Sequence, residues 1–196
     1  MSEVDEQRFG AIYESTRSKI TAYVLRRAAS REDAADVVAD IFEIAWRKLD
    51  EIPGSPDDVL WLYVTARHVL ANHNRRLRRG DDLAARIADG LAVVDQSEEP
   101  TDEDSLIALS CLRSLPEGDR ELLMLTAWDG LSGADAGRVL GCSPTAARIR
   151  LHRARARLNA EINRTNVLQK QARAGGHEQV DRGDASQLVP EEVVET

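Results

Sequence analysis

Two stretches of this chain concentrate arginine at helical spacing, and both could neutralise phosphate. Between Arg67 and Arg79 stand five arginines (67, 75, 76, 78 and 79) and no acid. Between Arg148 and Arg157 stand five more (148, 150, 153, 155 and 157), again with no acid. Ahead of the second stretch come Gly137 and Gly141, then Ser143-Pro144. A short helix, a tight glycine turn and a helix with an arginine face have helix-turn-helix proportions. Gly137 falls where the two helices approach most closely, and Gly141 suits the turn. Ser143 reads as an N-cap, with Pro144 at the first helical position. The second helix would enter the major groove. There Thr145, Arg148, Ile149, His152 and Arg153 would face base edges, and the other arginines would face phosphates. An ordinary helical hairpin with a solvated arginine face is the plainer alternative.

In the first stretch, Asn72, Arg75, Arg76 and Arg79 share one helix face, flanked by Arg67. Trp61 and Tyr63 stand at the start of the same helix. Cations beside aromatics suit single-stranded DNA, because phosphates are neutralised and each unstacked base gains ~1–3 kcal/mol on a flat ring. A solvated basic helix with core aromatics fits the composition equally well. A third constellation is acidic: Asp33, Asp36, Asp40 and Glu43 form a stripe beside apolar residues, either a solvated face or a protein-docking surface.

The elements that would position these groups are helical throughout. Phe9, Ile12, Tyr13, Thr16, Ile20, Tyr23 and Val24 repeat at three- and four-residue spacing. Ser30, with Asp33 three residues on, opens a second helix carrying Val37, Val38, Ile41, Ile44, Ala45 and Trp46. Ile52-Pro53-Gly54-Ser55-Pro56 breaks it. A third helix runs from about Asp57 to Arg79 with Leu62, Ala66, Val69, Leu70, His73 and Leu77 inward. Helical signals return at Leu106, Leu109 and Leu112, and again after Pro116. The last helix buries Ala147, Leu151, Ala154, Leu158 and Ile162.

Between the two cationic helices, Asp81 to Asp104 holds nine acids against Arg86 and shows no periodicity, which reads as a linker. The tail from Gly175 to Thr196 holds six acids and one arginine. The net charge of −8 and the pI of about 5.1 are therefore averages that hide two basic helices. Cys111 and Cys142 lie far apart and the four histidines are scattered, which argues against a disulfide framework or a zinc site. No apolar run approaches the ~20 residues that cross a bilayer, and the N-terminus has no apolar signal core. A reducing cytoplasm is the expected compartment, with no cofactor and no direct membrane insertion. The expectation is an all-α chain of two small helical domains, 5–79 and 105–164. A flexible acidic linker, 80–104, joins them, and a disordered tail, 165–196, follows.

The segments Asp33–Ile52 (DAADVVADIFEIAWRKLDEI) and Trp61–Arg79 (WLYVTARHVLANHNRRLRR) resemble region 2 of the extracytoplasmic-function (ECF) sigma factors. Leu112–Leu158, from LRSLPEGDRELLML to RIRLHRARARL, resembles their region 4. The resemblance implies a non-enzymatic transcription factor that binds core RNA polymerase and directs initiation at specific promoters. Asp36, Val37, Asp40, Ile41, Phe42, Ala45 and Trp46 would dock on the polymerase. Trp61, Arg67, Asn72, Arg75, Arg76 and Arg79 would hold the melted −10 element. Thr145, Arg148, Ile149, His152 and Arg153 would read the −35 element as duplex. Many members of that family are held inactive by an anti-sigma factor, so such a protein is a candidate partner. The competing reading is a stand-alone helix-turn-helix regulator with an N-terminal sensor or dimerisation domain.

Linker length bears on the mechanism. About 25 residues of relaxed coil span ~28 Å and reach ~85 Å when extended, while two turns of duplex between recognition elements measure ~70 Å. The linker must be held nearly stretched, which calls for the polymerase as scaffold. In the free chain its acids could fold back onto the arginine helices.

Overall fold

The computed structural model describes residues 2–80 and 102–176, with the backbone alone at 78–80 and 172–176. Residues 81–101 of the expected linker, and with them the expectation that its acids fold back on the arginines, lie outside the described residues, while Asp102 to Asp104 belong to the cap and first turn of a helix. The elements in order are α1 (Glu3–Leu25), α2 (Arg31–Arg47), α3 (Asp57–Gly80), α4 (Glu103–Ser114), α5 (Glu117–Ala127), α6 (Gly133–Val139) and α7 (Pro144–Gly176). A 3-10 turn at Leu49–Glu51 follows α2. No strand occurs among the described residues, as the periodicity predicts. None of the described helices is long and apolar enough to cross a membrane.

α1, α2 and α3 pack as one bundle. Ser2 caps α1 and Ser30 caps α2, each hydroxyl accepting the N–H of the aspartate three residues on. The buried stripes are Ile12, Thr16, Ile20 and Val24 on α1, then Val37, Ile41 and Ala45 on α2, then Leu62, Ala66, Val69 and Leu70 on α3. Two aromatic pairs join the N-terminal half of α1 to the C-terminal half of α2. Phe9 meets Trp46 edge-on at 4.9 Å, and Tyr13 meets Phe42 at 4.7 Å. Edge-to-face pairs of this kind add about 0.5–1.5 kcal/mol beyond the area they bury.

The second unit is built around α7. Asp102 caps α4 through the Ser105 N–H at 2.8 Å, and Ser132 caps α6 through the Asp135 N–H at 3.1 Å. Gly130 and Gly141 adopt positive φ (67° and 71°), which lets the chain turn tightly before and after α6. A Cβ on Gly137 would lie 2.5 Å from the Ala147 Cβ, so its missing side chain is what lets α6 sit down on α7. Ser143 caps α7 as expected, its hydroxyl accepting the Ala146 N–H at 3.2 Å.

One expectation changes. The tail expected to be disordered from residue 165 is instead helical through Gly176. α4 lies along this extension, with the Cys111 Sγ 3.5 Å from the Thr165 Oγ1. Beyond Asn166 the helix runs on with Val167 and Leu168 exposed, so no apolar stripe marks it in the sequence. The two domains also touch. One buried apolar cluster runs from α1–α3 into α5–α7, and α3 packs against α6.

Candidate nucleic-acid interface

On α7, the buried side is Ala147, Leu151 and Ala154, so a 100° turn per residue places Thr145, Arg148, Ile149, His152 and Arg153 on the opposite, outward side. All five are exposed. Arg148, Ile149, His152 and Arg153 border one shallow open depression. Two of the remaining arginines, expected to face phosphates, are engaged by an acid while their side chains stay about half exposed. The Arg150 Nε donates to the Asp119 Oδ1 at 3.1 Å, and the Arg157 Nη1 donates to the other carboxylate oxygen. Asp119 is 4% exposed and stands at the start of α5, so one buried carboxylate anchors two arginines two turns apart on the flank of α7. Gly118 leaves room for this: a Cβ there would overlap the Arg150 guanidinium.

On α3, Arg67, Asn72, Arg75 and Arg76 are exposed, and the Arg75 Nη1 donates to the Asn72 Oδ1 at 3.4 Å. Arg79 lies in the last turn, outside the described side chains. Trp61 is half-buried and packs against the core. Tyr63, expected to offer a ring to bases, is a core residue at 1% exposure, with its ring 5.2 Å from that of Tyr23. Burial pushes its hydroxyl pKa up to about 12. The His73 Nε2 lies 3.0 Å from the Asp33 Oδ1 and ties the end of α3 to the start of α2. The Ser30 hydroxyl and then His73 hold the Asp33 carboxyl below the usual carboxylate range.

The docking set expected on α2 divides by helical period. Val37, Ile41, Phe42 and Ala45 are buried and hold the bundle together, so their side chains are not available to a partner. Trp46 is half-buried against Phe9. Asp36 and Glu43 are exposed and Asp40 is half-exposed, which leaves an acidic stripe as the outward surface.

Sequence reasoning missed the polar cluster that joins the two units. The Arg27 Nε donates to both Glu121 carboxylate oxygens at 3.1 Å, and its Nη2 donates to the Asp129 Oδ2 at 3.2 Å. Arg26 pairs with the other Asp129 oxygen. The Tyr23 hydroxyl lies 3.1 Å from the Glu121 Oε1, and its ring lies under the Arg27 guanidinium at 3.7 Å. The Asp129 side chain has no exposure, and that of Arg27 only 9%. Burial raises the Asp129 pKa against the pull of Arg27 and Arg26. Burial works against the charge on Arg27 too, yet Glu121 and its other neighbours raise its pKa above the ordinary value. At the rim, the Arg138 Nη1 donates to the Asp57 Oδ1 at 2.9 Å. Arg26-Arg27 at a helix end reads as an ordinary dipole complement, and nothing local points to partners 94–103 residues away.

Family models match both units: Sigma-70 region 2 over residues 12–80, and Sigma-70, region 4, over residues 105–158. RNA polymerase sigma factor CnrH of Cupriavidus metallidurans is 34% identical over 141 residues, 67% of this chain and 74% of CnrH. The ECF RNA polymerase sigma-E factor of Haemophilus influenzae is 28% identical over 169 residues, 81% of this chain and 89% of that protein. The probable RNA polymerase sigma factor RfaY of Xanthomonas campestris is 30% identical over 168 residues, 80% of this chain, and this chain spans only 41% of RfaY. The structure of CnrH in complex with the cytosolic domain of CnrY superimposes with a TM-score of 0.57 at 27% identity, covering 81% of this chain and 89% of that one. With both matched regions in order on one chain whose described elements are all helices, the protein belongs to the ECF group of RNA polymerase sigma factors.

Proposed function

We propose that this sigma factor works in the cytoplasm, where it gives core RNA polymerase its promoter address by gripping DNA at two places. α7 reads the −35 element as duplex, and α3 holds the melted −10 element. One observation carries this reading. Two exposed cationic helix faces, Asn72, Arg75 and Arg76 on α3 and Arg148 and Arg153 on α7, stand on the two units of one chain. The exposed acids of α2 form the docking surface for the polymerase. Each good bidentate base contact discriminates by ~1–3 kcal/mol, and extruding a base costs a few kcal/mol of unstacking. One small bundle makes too few contacts to open DNA alone, so polymerase is required. By likeness to CnrH, whose structure is a complex with the cytosolic domain of CnrY, a second protein such as an anti-sigma factor binds this chain as well.

The two faces must separate to span the ~70 Å of two duplex turns. The cluster of Arg26, Arg27, Glu121 and Asp129 is then a contact that engagement with polymerase breaks. Reconstituted run-off transcription tests the function. Added to core polymerase, the chain should create promoter-specific start sites. Arg75→Ala with Arg76→Ala should abolish permanganate reactivity at −10 while −35 protection remains. A chain that footprints duplex without polymerase and leaves start-site choice unchanged overturns the reading.

A further inference from the structure

Ile149 is 46% exposed in the middle of a polar, cationic face. Its neighbours on α7 are Thr145 one turn before, Arg148 beside it, and His152 and Arg153 one turn after, all of them exposed. Packing does not ask for an apolar residue here, because the buried stripe of α7 lies on the opposite side at Ala147, Leu151 and Ala154. Local propensity does not ask for it either, since a β-branched residue is slightly unfavourable in a helix. An isolated apolar spot flanked by two arginines complements a surface that is anionic overall and apolar at one point. The major groove offers such a point at thymine, whose C5-methyl stands among base edges that otherwise present only hydrogen-bonding groups.

We infer that Ile149 is a specificity-determining residue that packs on the 5-methyl group of a thymine in the −35 duplex. Arg148 and Arg153 border the same depression and reach the adjacent base edges or phosphates. The inference rests on α7 being the duplex-reading helix. It goes further by naming the base and the atom that one side chain reads. Arginine contacts alone would favour guanine-rich sites. With Ile149 the preferred element must include a T·A pair at a fixed place.

The experiment uses the full chain assembled with core RNA polymerase, and a DNA pool randomised over about fifty base pairs, enough for two sites two helical turns apart. After selection, each thymine of the enriched upstream block is replaced singly by deoxyuridine. This removes one methyl group and leaves base pairing unchanged. One substitution should weaken binding about fourfold, the equivalent of ~0.8 kcal/mol per buried CH₂ at 1.4 kcal/mol per tenfold. Ile149→Ser should erase that difference and leave the melting temperature unchanged, since the side chain is in solvent. The inference is overturned by an upstream block with no fixed thymine, by deoxyuridine binding as well as thymine everywhere, or by an equal thymine preference in Ile149→Ser. If no upstream block is enriched at all, the duplex-reading role of α7 falls, and Ile149 with it.

Discussion

Replacing Arg27 with methionine keeps the length of the side chain and removes the charge that Glu121 and Asp129 share between the two units. In the closed arrangement both acids then lose a guanidinium. Asp129 retains only Arg26, at a side chain with no exposure, and Glu121 retains the Tyr23 hydroxyl. Removing one partner of a buried ion pair costs roughly 3–5 kcal/mol. Because Glu121 is 18% exposed, the lower end applies. When the units separate, all these groups meet water, so the penalty falls on the closed form alone. About 3 kcal/mol is about a hundredfold shift toward the open form at 1.4 kcal/mol per tenfold. Small-angle scattering at pH 7.5 should show a larger radius of gyration for Arg27→Met, and core polymerase should bind the variant more tightly. Acid should reverse the effect. Burial raises the Asp129 pKa in the closed form, so the closed form holds its proton more tightly than the open form does. Closure therefore strengthens as pH falls through that raised value and weakens as pH rises through it. An Arg27→Met chain with the unsubstituted radius of gyration and unchanged polymerase affinity would show that apolar contacts alone hold the units together.

Three further outcomes follow from the same geometry. Asp119→Asn should free Arg150 and Arg157 for phosphate, steepening the log–log salt dependence of duplex binding by up to ~0.9 per arginine. An unchanged slope would mean that both arginines already reach phosphate while paired. Gly137→Val should overpack the α6–α7 contact, costing about 1–3 kcal/mol. That is roughly 4–8 °C of melting temperature per kcal/mol in a domain of this size, with −35 protection lost in parallel. Asp33 is held below its ordinary pKa by Ser30 and His73, Asp102 by the Ser105 N–H, and Asp135 by Ser132 and Arg138. Depressed values of this sign lend stability that is complete above the unfolded value of about 3.9 and lost as pH falls through the folded ones. Circular dichroism from pH 5 to 2 should place acid unfolding below about pH 4, and Asp33→Asn should make that loss shallower.

Most of the helical plan was legible in the sequence, because capping and periodicity are local. Ser30, Ser143, Gly137 and Gly141 each act within a few residues or at one close helix contact, and the structure finds them where the pattern placed them. The outward set on α7 was legible for the same reason. A 3.6-residue period fixes which side chains oppose Ala147, Leu151 and Ala154. The α2 set is less legible, because it spans more than one face of the helix and the fold turns only one of them outward. Val37, Ile41, Phe42 and Ala45 went into the core, and only the acids stayed outside.

Composition and spacing by themselves determined that this is a helical protein with two cationic faces. They also determined which arginines belong to each helix. Only the tertiary structure decided which charges are free. Asp119 engages Arg150 and Arg157, and Arg26 with Arg27 is spent on Asp129 and Glu121, about a hundred residues away. Ion pairing depends on distance in space, and the fold that brings distant residues together is the sum of many weak contacts. No single stretch of sequence records that sum.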